Sequence, residues 1–310
     1  MKKNNHIIND SEISFVVQGP ITKDINYNLS TIRYNFPSSR IIISTWEKED
    51  ISFLNISNYD EIIQNQDPGN MPPPLHNVNR QITSTINGLK KVNTKYVIKI
   101  RTDCSLNSRE FVDIYNKHNF KSKYNIFKDK ILIISAYAKD PIKWSVLFHI
   151  SDLFFFGTSK DIYNLFNIPL ATNQKLAAEQ YIICEYLKIN NLIHVLNWYD
   201  LSIKKIYYSE LYLSNSFILV DFDKQLFLNI DTTNQILFYK SLYKEPFYDL
   251  YNQKTFASLK FFIFRIIRIP KILYTSFKLY GKMQFTSNLK YIYFFFIFFK
   301  KLKSICKKII

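Results

Sequence analysis

The sequence predicts an α/β domain built on a largely parallel sheet, and three observations carry that prediction. Apolar runs of strand length recur through the first 140 or so residues. Segments of helical spacing lie between several of them, as the crossovers of a parallel sheet require. Polar and charged residues then crowd the ends of those runs, where open α/β sheets hold their ligands.

Taken in order, ISFVVQ (13–18) is the first strand. NYNLSTIRYNF (26–36) sets Tyr27, Leu29, Ile32, Tyr34 and Phe36 along one side and is stopped by Pro37. RIIIST (40–45) and EIIQ (61–64) are the next strands, and QNQDPGNMPPPLH (64–76) is a loop restrained by its prolines. In VNRQITSTINGLKKV (78–92), Ile82, Thr85, Ile86 and Leu89 follow a 3.6-residue period, which predicts a helix. YVIKI (96–100) and ILIISAY (131–137) are two further strands. The aromatic stretch WSVLFHISDLFFFG (144–157) has no period that assigns it. KLAAEQYIICEYLKI (175–189) reads as a helix with Leu176, Tyr181, Ile183, Cys184 and Leu187 apolar, and residues 200–250 read as Tyr- and Phe-rich with short β-like runs such as SFILVDF (216–222).

The chain has 310 residues, 47% of them hydrophobic, which excludes a disordered chain. Its formal charge of +16 is unevenly placed: past Asp249 there is no acidic residue, while Lys and Arg recur from Lys254 to Lys308. Two regions follow, a near-neutral domain over 1–250 and a basic, aromatic tail over 251–310. In the tail LKFFIFRIIRIPKIL (259–273) mixes cations with bulky apolar groups, the pattern of an amphipathic helical segment lying on an anionic bilayer. Ile263, Ile266, Ile267, Ile269 and Leu273 are too apolar for a nucleic-acid arm, so no nucleic acid is expected as a partner. The uncharged run YIYFFFIFF (291–299) falls far short of the ~18 residues that cross a bilayer. Cys104, Cys184 and Cys306 have no metal-finger or CxxC spacing and fit a reducing compartment, and the lysines of the first residues are followed by no apolar signal-peptide run. The expected location is cytoplasmic, peripheral on a membrane.

KYVIKIRTDCSL (95–106) poses the chemical question, because Lys99, Arg101 and Asp103 crowd the end of an apolar strand. Other strand ends and adjoining turns carry Gln18-Gly19-Pro20, Trp46-Glu47 and Asp67-Pro68-Gly69, and a helix opens with Asn79-Arg80-Gln81. In a parallel sheet these ends share one rim and form one cleft. Arg80 and Arg101 suit a phosphate through the planar guanidinium fork. Gly19 permits close backbone approach, Asp103 is a hard-oxygen ligand for a divalent metal on a diphosphate, and Trp46 offers a stacking face. Singly, each has a plainer reading: a turn, a core tryptophan, a surface ion pair, a helix cap. The five histidines have no metal-like spacing, and with five glycines and no GxSxG, Walker loop or GxGxxG, the corresponding hydrolase, P-loop and Rossmann classes lose support.

ISFVVQGPI, IRYNFPSSRIIISTWE, NQDPG and NRQITSTINGLKKVNTKYVIKIRTDCSL, in that order, resemble the WavE lipopolysaccharide-synthesis family. SDLFFFGTSKDI (151–162) and AAEQYIICEYL (177–187) fit the same family, so the resemblance covers roughly residues 13–200. It implies a GT-A-like fold with a nucleotide-sugar donor over the carboxyl ends of a mixed, mainly parallel sheet. It implies that Arg101-Thr102-Asp103 stands where such enzymes carry the Asp-x-Asp that holds a Mn or Mg ion. Asp103 remains as the metal ligand, and Arg101 replaces the first carboxylate and neutralises phosphate directly. Gln18 to Pro20, Trp46 and Glu47 are implied to flank the nucleotide. Inverting transfer requires a carboxylate to take the acceptor's proton; Glu179, in the first turn of the helix 178–188, matches that base's usual place, with Asp152 as the second candidate. The implied activity is sugar transfer to a lipopolysaccharide or capsular surface glycan, or its lipid-linked precursor, at the cytosolic face of the inner membrane. Two alternatives stay open, a nucleotidyltransferase on a similar sheet and a non-catalytic membrane-bound assembly protein.

Overall fold

Every residue of Ile13–Gln18 is buried, and so is all but the first residue of Arg40–Trp46. A strand covered on both faces needs apolar groups at nearly every position, which is why these segments read as continuous runs without alternation. The computed structural model describes residues 7–69, 77–139, 141, 146–173, 175–198, 200 and 202–220. Within them seven strands form one sheet: β1 (Ile13–Gln18), β2 (Arg40–Trp46), β3 (Glu61–Asn65), β4 (Tyr96–Arg101), β5 (Ile131–Ile134), β6 (Phe154–Thr158) and β7 (Phe217–Val220). Their order is β3-β2-β1-β4-β6-β5-β7. All pairings are parallel except the two made by β6, which runs against β4 and β5. The mixed, mainly parallel sheet flanked by helices is the architecture the sequence predicts.

The helices are α1 (Ile25–Asn35), α2 (Val78–Leu89), α3 (Glu110–His118), α4 (Ser159–Phe166), α5 (Ala178–Ile189) and α6 (Ile203–Ser216). Strand pleating divides the core in two. Phe15, Val17, Ile98, Ile100, Phe154 and Phe156 pack on one face with Leu29 and Ile32 of α1 and Phe111 and Tyr115 of α3. Val16, Val97, Phe155 and Ile133 pack on the other with Ile82 of α2, Leu165 and Phe166 of α4, and Ile183 and Leu187 of α5. Each such side chain, fully withdrawn from water, contributes roughly 1.5–3 kcal/mol. Gly88 lets α2 lie close on the sheet, since a Cβ there would stand 2.4 Å from Val16 Cγ1.

Three elements depart from the reading of the sequence. ILIISAY stops being strand at Ile134, because Ser135 turns away and Tyr137 adopts a left-handed φ of 62°. The aromatic stretch yields β6 at its carboxyl end. Residues 203–216, read within a β-like region, form α6, started by the Ser202 hydroxyl, which accepts from the Lys205 N–H at 3.1 Å. Most of the loop 64–76, the domain boundary near residue 250 and the basic tail lie outside the described residues. Among the described residues, no helix is long and apolar enough to cross a membrane.

Candidate active site

Because β1 to β4 are parallel, their carboxyl ends lie along one rim; β6 runs the other way, so its amino end arrives at that rim too. A cleft of about 770 Å³ opens there, within the size range of small-ligand sites. β1 contributes Gln18, Gly19 and Pro20; β2 contributes Trp46 and Glu47; the loop after β3 contributes Asp67. Arg80 comes from α2, Arg101 and Asp103 from the end of β4, Asp152 from the turn before β6 and Glu179 from the first turn of α5.

The backbone at the cleft floor is tightly specified. Gly19 has a φ of 130°, and a Cβ there would approach Thr102 Oγ1 to 2.8 Å. That hydroxyl donates to the Pro20 carbonyl at 2.7 Å, and the Thr102 N–H donates to the Gln18 carbonyl at 3.1 Å. The Gln18 side chain is fixed by the Ser84 hydroxyl, which donates to Oε1 at 2.7 Å. Only glycine meets both the dihedral and the space at position 19.

Both cleft arginines hold carboxylates bidentately. Arg80 donates from Nε to Asp67 Oδ1 at 2.8 Å and from Nη2 to Oδ2 at 2.5 Å. Arg101 donates from Nε to Asp103 Oδ1 at 2.9 Å and from Nη2 to Oδ2. Although burial works against its charge, the hydrogen bond and charge of Asp103 hold the Arg101 guanidinium above its ordinary pKa. The hydrogen bond from Arg80 outweighs burial and holds Asp67 below the usual carboxylate range.

Lys99 points to the same face of β4 as Arg101, one pleat deeper, and is fully buried. Its Nζ donates to the main-chain oxygen of Asp152 and lies 5.5 Å from the Phe155 ring centroid. Gln81 Nε2 donates to the same oxygen at 3.0 Å. Burial pulls the Lys99 amine down to about 8. The lysine in KYVIKIRTD therefore anchors the turn that presents Asp152, and the arginine above it faces the cleft.

Glu179 has the most perturbed carboxyl of the cleft. Burial first, and the Asp152 carboxylate second, push it up to about 7, against the opposing charges of Lys139 and Arg101. A carboxylic acid poised near neutrality beside an open cleft is the usual character of a general acid or base.

One expected residue stands elsewhere. Asn79 does not line the cleft: its amide donates to the Ala171 carbonyl at 3.0 Å and accepts from the Ala171 N–H at 2.7 Å. It follows the N-cap, Asn77, by two positions. One helical step of 100° separates it from Arg80, enough to turn it inward. Conversely, Lys48 lines the cleft without having been singled out. Tyr137 and Lys139 stand close enough to feel the charge of Glu179, and His149 Nε2 lies 3.9 Å from Glu179 Oε2. No spacing in the sequence announces these three, since the sheet brings them together from separate segments.

A resident divalent metal does not fit the carboxylates as they stand. Both oxygens of Asp103 accept from Arg101, and among the described residues no three His, Cys, Asp or Glu side chains converge as a metal site.

The family model described as WavE lipopolysaccharide synthesis matches residues 13–215, a span that includes every residue of the cleft. The chain belongs to the WavE family. No curated protein matches it. Among solved structures, a cytidylyltransferase from Leptospira borgpetersenii serovar Hardjo-bovis is 11% identical with a TM-score of 0.38, the alignment covering 84% of this chain and 96% of that one. HddC from Yersinia pseudotuberculosis, solved in complex with GMP-PN, is 12% identical with a TM-score of 0.31, over 49% of this chain and 78% of that one.

Proposed function

We propose that this WavE protein is a glycosyltransferase that moves a sugar from a nucleotide-sugar donor to a hydroxyl of a lipopolysaccharide or capsular glycan precursor. The observation that carries the reading is Glu179, raised to about 7 beside Asp152 in the cleft that also holds Arg80 and Arg101. A hydroxyl acceptor must lose a proton as it attacks, and that step needs a base. Nucleotidyl transfer to a sugar phosphate uses a nucleophile that is already anionic and has no such need.

In this reading the donor diphosphate is met by the guanidinium groups of Arg101 and Arg80, which Asp103 and Asp67 orient. Gln18, Gly19, Pro20, Trp46 and Glu47 border the nucleotide. The acceptor O–H bond breaks toward Glu179, and the oxygen's electron pair forms the new bond to the anomeric carbon. The old anomeric C–O bond breaks with its pair leaving on the nucleoside diphosphate. Asp152 keeps Glu179 basic enough to accept that proton. The charge of the diphosphate is met by arginine, with no resident ion assigned to Asp103. We further assign the basic tail to an anionic membrane surface on the cytosolic side, where a lipid-linked acceptor would be met.

Incubation with a panel of nucleotide-sugars and extracted glycan precursors, with and without manganese, tests the reading. It expects release of nucleoside diphosphate and a glycan heavier by one sugar. Pyrophosphate release instead would establish a nucleotidyltransferase, and donor binding with neither product would establish an assembly protein without catalysis.

A further inference from the structure

His149 carries no role in the chemistry above, yet the chain goes to some length to place it. The residue before it, Phe148, is buried and left-handed at φ 50°, and Tyr137 is left-handed at φ 62°. Bulky side chains rarely adopt that region, and strained positions of this kind cluster at functional sites. The two bracket one contact: the Lys139 N–H donates to the His149 carbonyl at 2.9 Å. The Phe148 N–H is held in turn by the Ser209 hydroxyl at 2.9 Å.

The imidazole itself is 3% exposed and is wedged edge-on against Trp198, ring centroids 5.9 Å apart at 85°. Lys139 Nζ lies 4.9 Å above the same tryptophan ring. From this packed position His149 Nε2 comes within 3.9 Å of Glu179 Oε2, and Glu179 lines the cleft whereas His149 does not.

We infer that His149 and Glu179 form a proton-sharing pair in which His149 is the positioning residue, fixing the carboxylate from behind and setting when it is ionised. The inference rests on the reading of Glu179 as the base. Besides His149, the groups whose charges reach Glu179 are Asp152 from the turn before β6, Lys139 from the loop after β5, Arg101 from β4 and the phenol of Tyr137. Across the interval between its two macroscopic titrations the pair holds one proton, as ionised Glu179 beside imidazolium or as neutral acid beside neutral imidazole. A buried pair with one shared proton stays neutral overall, which is how the low-dielectric corner tolerates it. The alternative is a histidine that serves packing only, and its titration would ignore Glu179.

Carbon-13 labelling of the imidazole Cε1 makes this testable, because the full chain has five histidines. Proton titrations of the full-length protein are followed by NMR in the wild type and in Glu179→Gln. The pair requires the His149 midpoint to fall by about one pH unit or more in Glu179→Gln, a ten-fold loss of proton affinity. An unchanged midpoint overturns the inference. His149→Asn supplies the reciprocal measurement: the acidic limb of the transfer rate should move to higher pH, and an unmoved limb counts against the pair. If His149→Asn does not fold, the Glu179→Gln titration decides alone. The readouts separate the two ideas. A moved His149 titration without any sugar transfer keeps the pair and removes the transferase. Transfer abolished in Glu179→Gln with His149 unmoved keeps the transferase and removes the pair.

Discussion

Lys99 donates through Nζ to the main-chain oxygen of Asp152, joining the interior of β4 to the turn that opens β6. A buried ammonium is costly unless its partners repay it. Here they comprise that carbonyl and the Phe155 and Phe166 rings, at 5.5 and 5.9 Å from Nζ to the centroids. The return is positional, because the same turn aims Asp152 at Glu179.

Lys99→Met therefore separates stability from activity. The folded-state amine lies near 8, below its unfolded value of 10.5. A base depressed in this way adds stability above its unfolded pKa and loses it as pH falls through the folded one. At pH 7 the wild type bears nearly the full cost, on the order of 3 kcal/mol, which the variant avoids. Urea unfolding should show Lys99→Met gaining relative to wild type at pH 7, with the gap closing toward pH 10. Transfer should fall at least about ten-fold, since a 1 Å misplacement of a catalytic group already costs that much or more. A variant as active as wild type would remove Lys99 from the positioning of Asp152.

Arg101→Lys keeps the charge and loses the fork. Affinity for a nucleoside diphosphate should weaken by an amount on the order of 1.5–3 kcal/mol, the usual worth of a hydrogen bond to a charged group. Isothermal titration reads this directly, and equal affinities would mean that Arg101 serves Asp103 alone. Asp103→Asn should keep the fold and lower transfer, because the amide loosens the partner that orients Arg101. Addition of manganese should leave the wild-type rate unchanged, and a requirement for it would restore Asp103 as a metal ligand.

Glu179→Gln should cut the transfer rate by roughly 10²–10⁴. In the wild type the rate should rise with pH through about 7, where Glu179 ionises. Stability moves in the opposite sense. A carboxyl raised above its unfolded pKa contributes fully below that value and loses its contribution as pH rises through the folded one. Thermal unfolding should accordingly find Glu179→Gln more stable than wild type at pH 8, the difference fading toward pH 4. Full activity in this variant would transfer the base assignment to Asp152 or abolish it.

Removal of residues 255–310 should leave nucleotide binding intact and abolish sedimentation with anionic vesicles. Each Lys or Arg near such a surface contributes roughly 1 kcal/mol, and the apolar side chains add a part that salt does not screen. High salt should thus release the full-length protein from vesicles only partly. A truncated chain that aggregates instead would show that the tail completes the core.

Much of the fold was legible because burial on both faces writes β1, β2 and most of β4 as apolar runs, and Pro37 and the 3.6-residue period bound α1 and α2. β6 was not, since FFFGT carries neither alternation nor a bounding turn signal, and only its pairing with β4 declares it a strand. α6 was missed because its tyrosines favour strands locally, while Ser202 and the packing of Leu213 make it a helix. For the cleft, residues at strand ends were readable because parallel topology gathers them. Lys99 was visible as an anomaly whose partner, Asp152, lies 53 positions away. Asn79 was drawn in by adjacency to Arg80, whereas His149 was passed over because linear spacing carries no trace of a contact made across the sheet.

The reversal of β6 gives the rim a seam. Residues up to Asp103 furnish Arg80 and Arg101 together with their carboxylate partners Asp67 and Asp103, and the acidic corner comes from a later stretch that includes Asp152 and Glu179. The two instalments are held in register by the β4–β6 ladder, where Ile98 faces Phe156 and Ile100 faces Phe154. A recombination crossover in the connection between Leu106 and Ile131 would therefore exchange the acidic corner wholesale while leaving Arg80 and Arg101 where they are. What the joint requires is that the ladder not slip by one residue. Such a slip would turn Phe155 to the opposite side of the sheet and strip Lys99 of its aromatic neighbour. Under the proposed reaction, such a crossover would alter the acceptor side of the cleft and leave the arginines of the donor side in place.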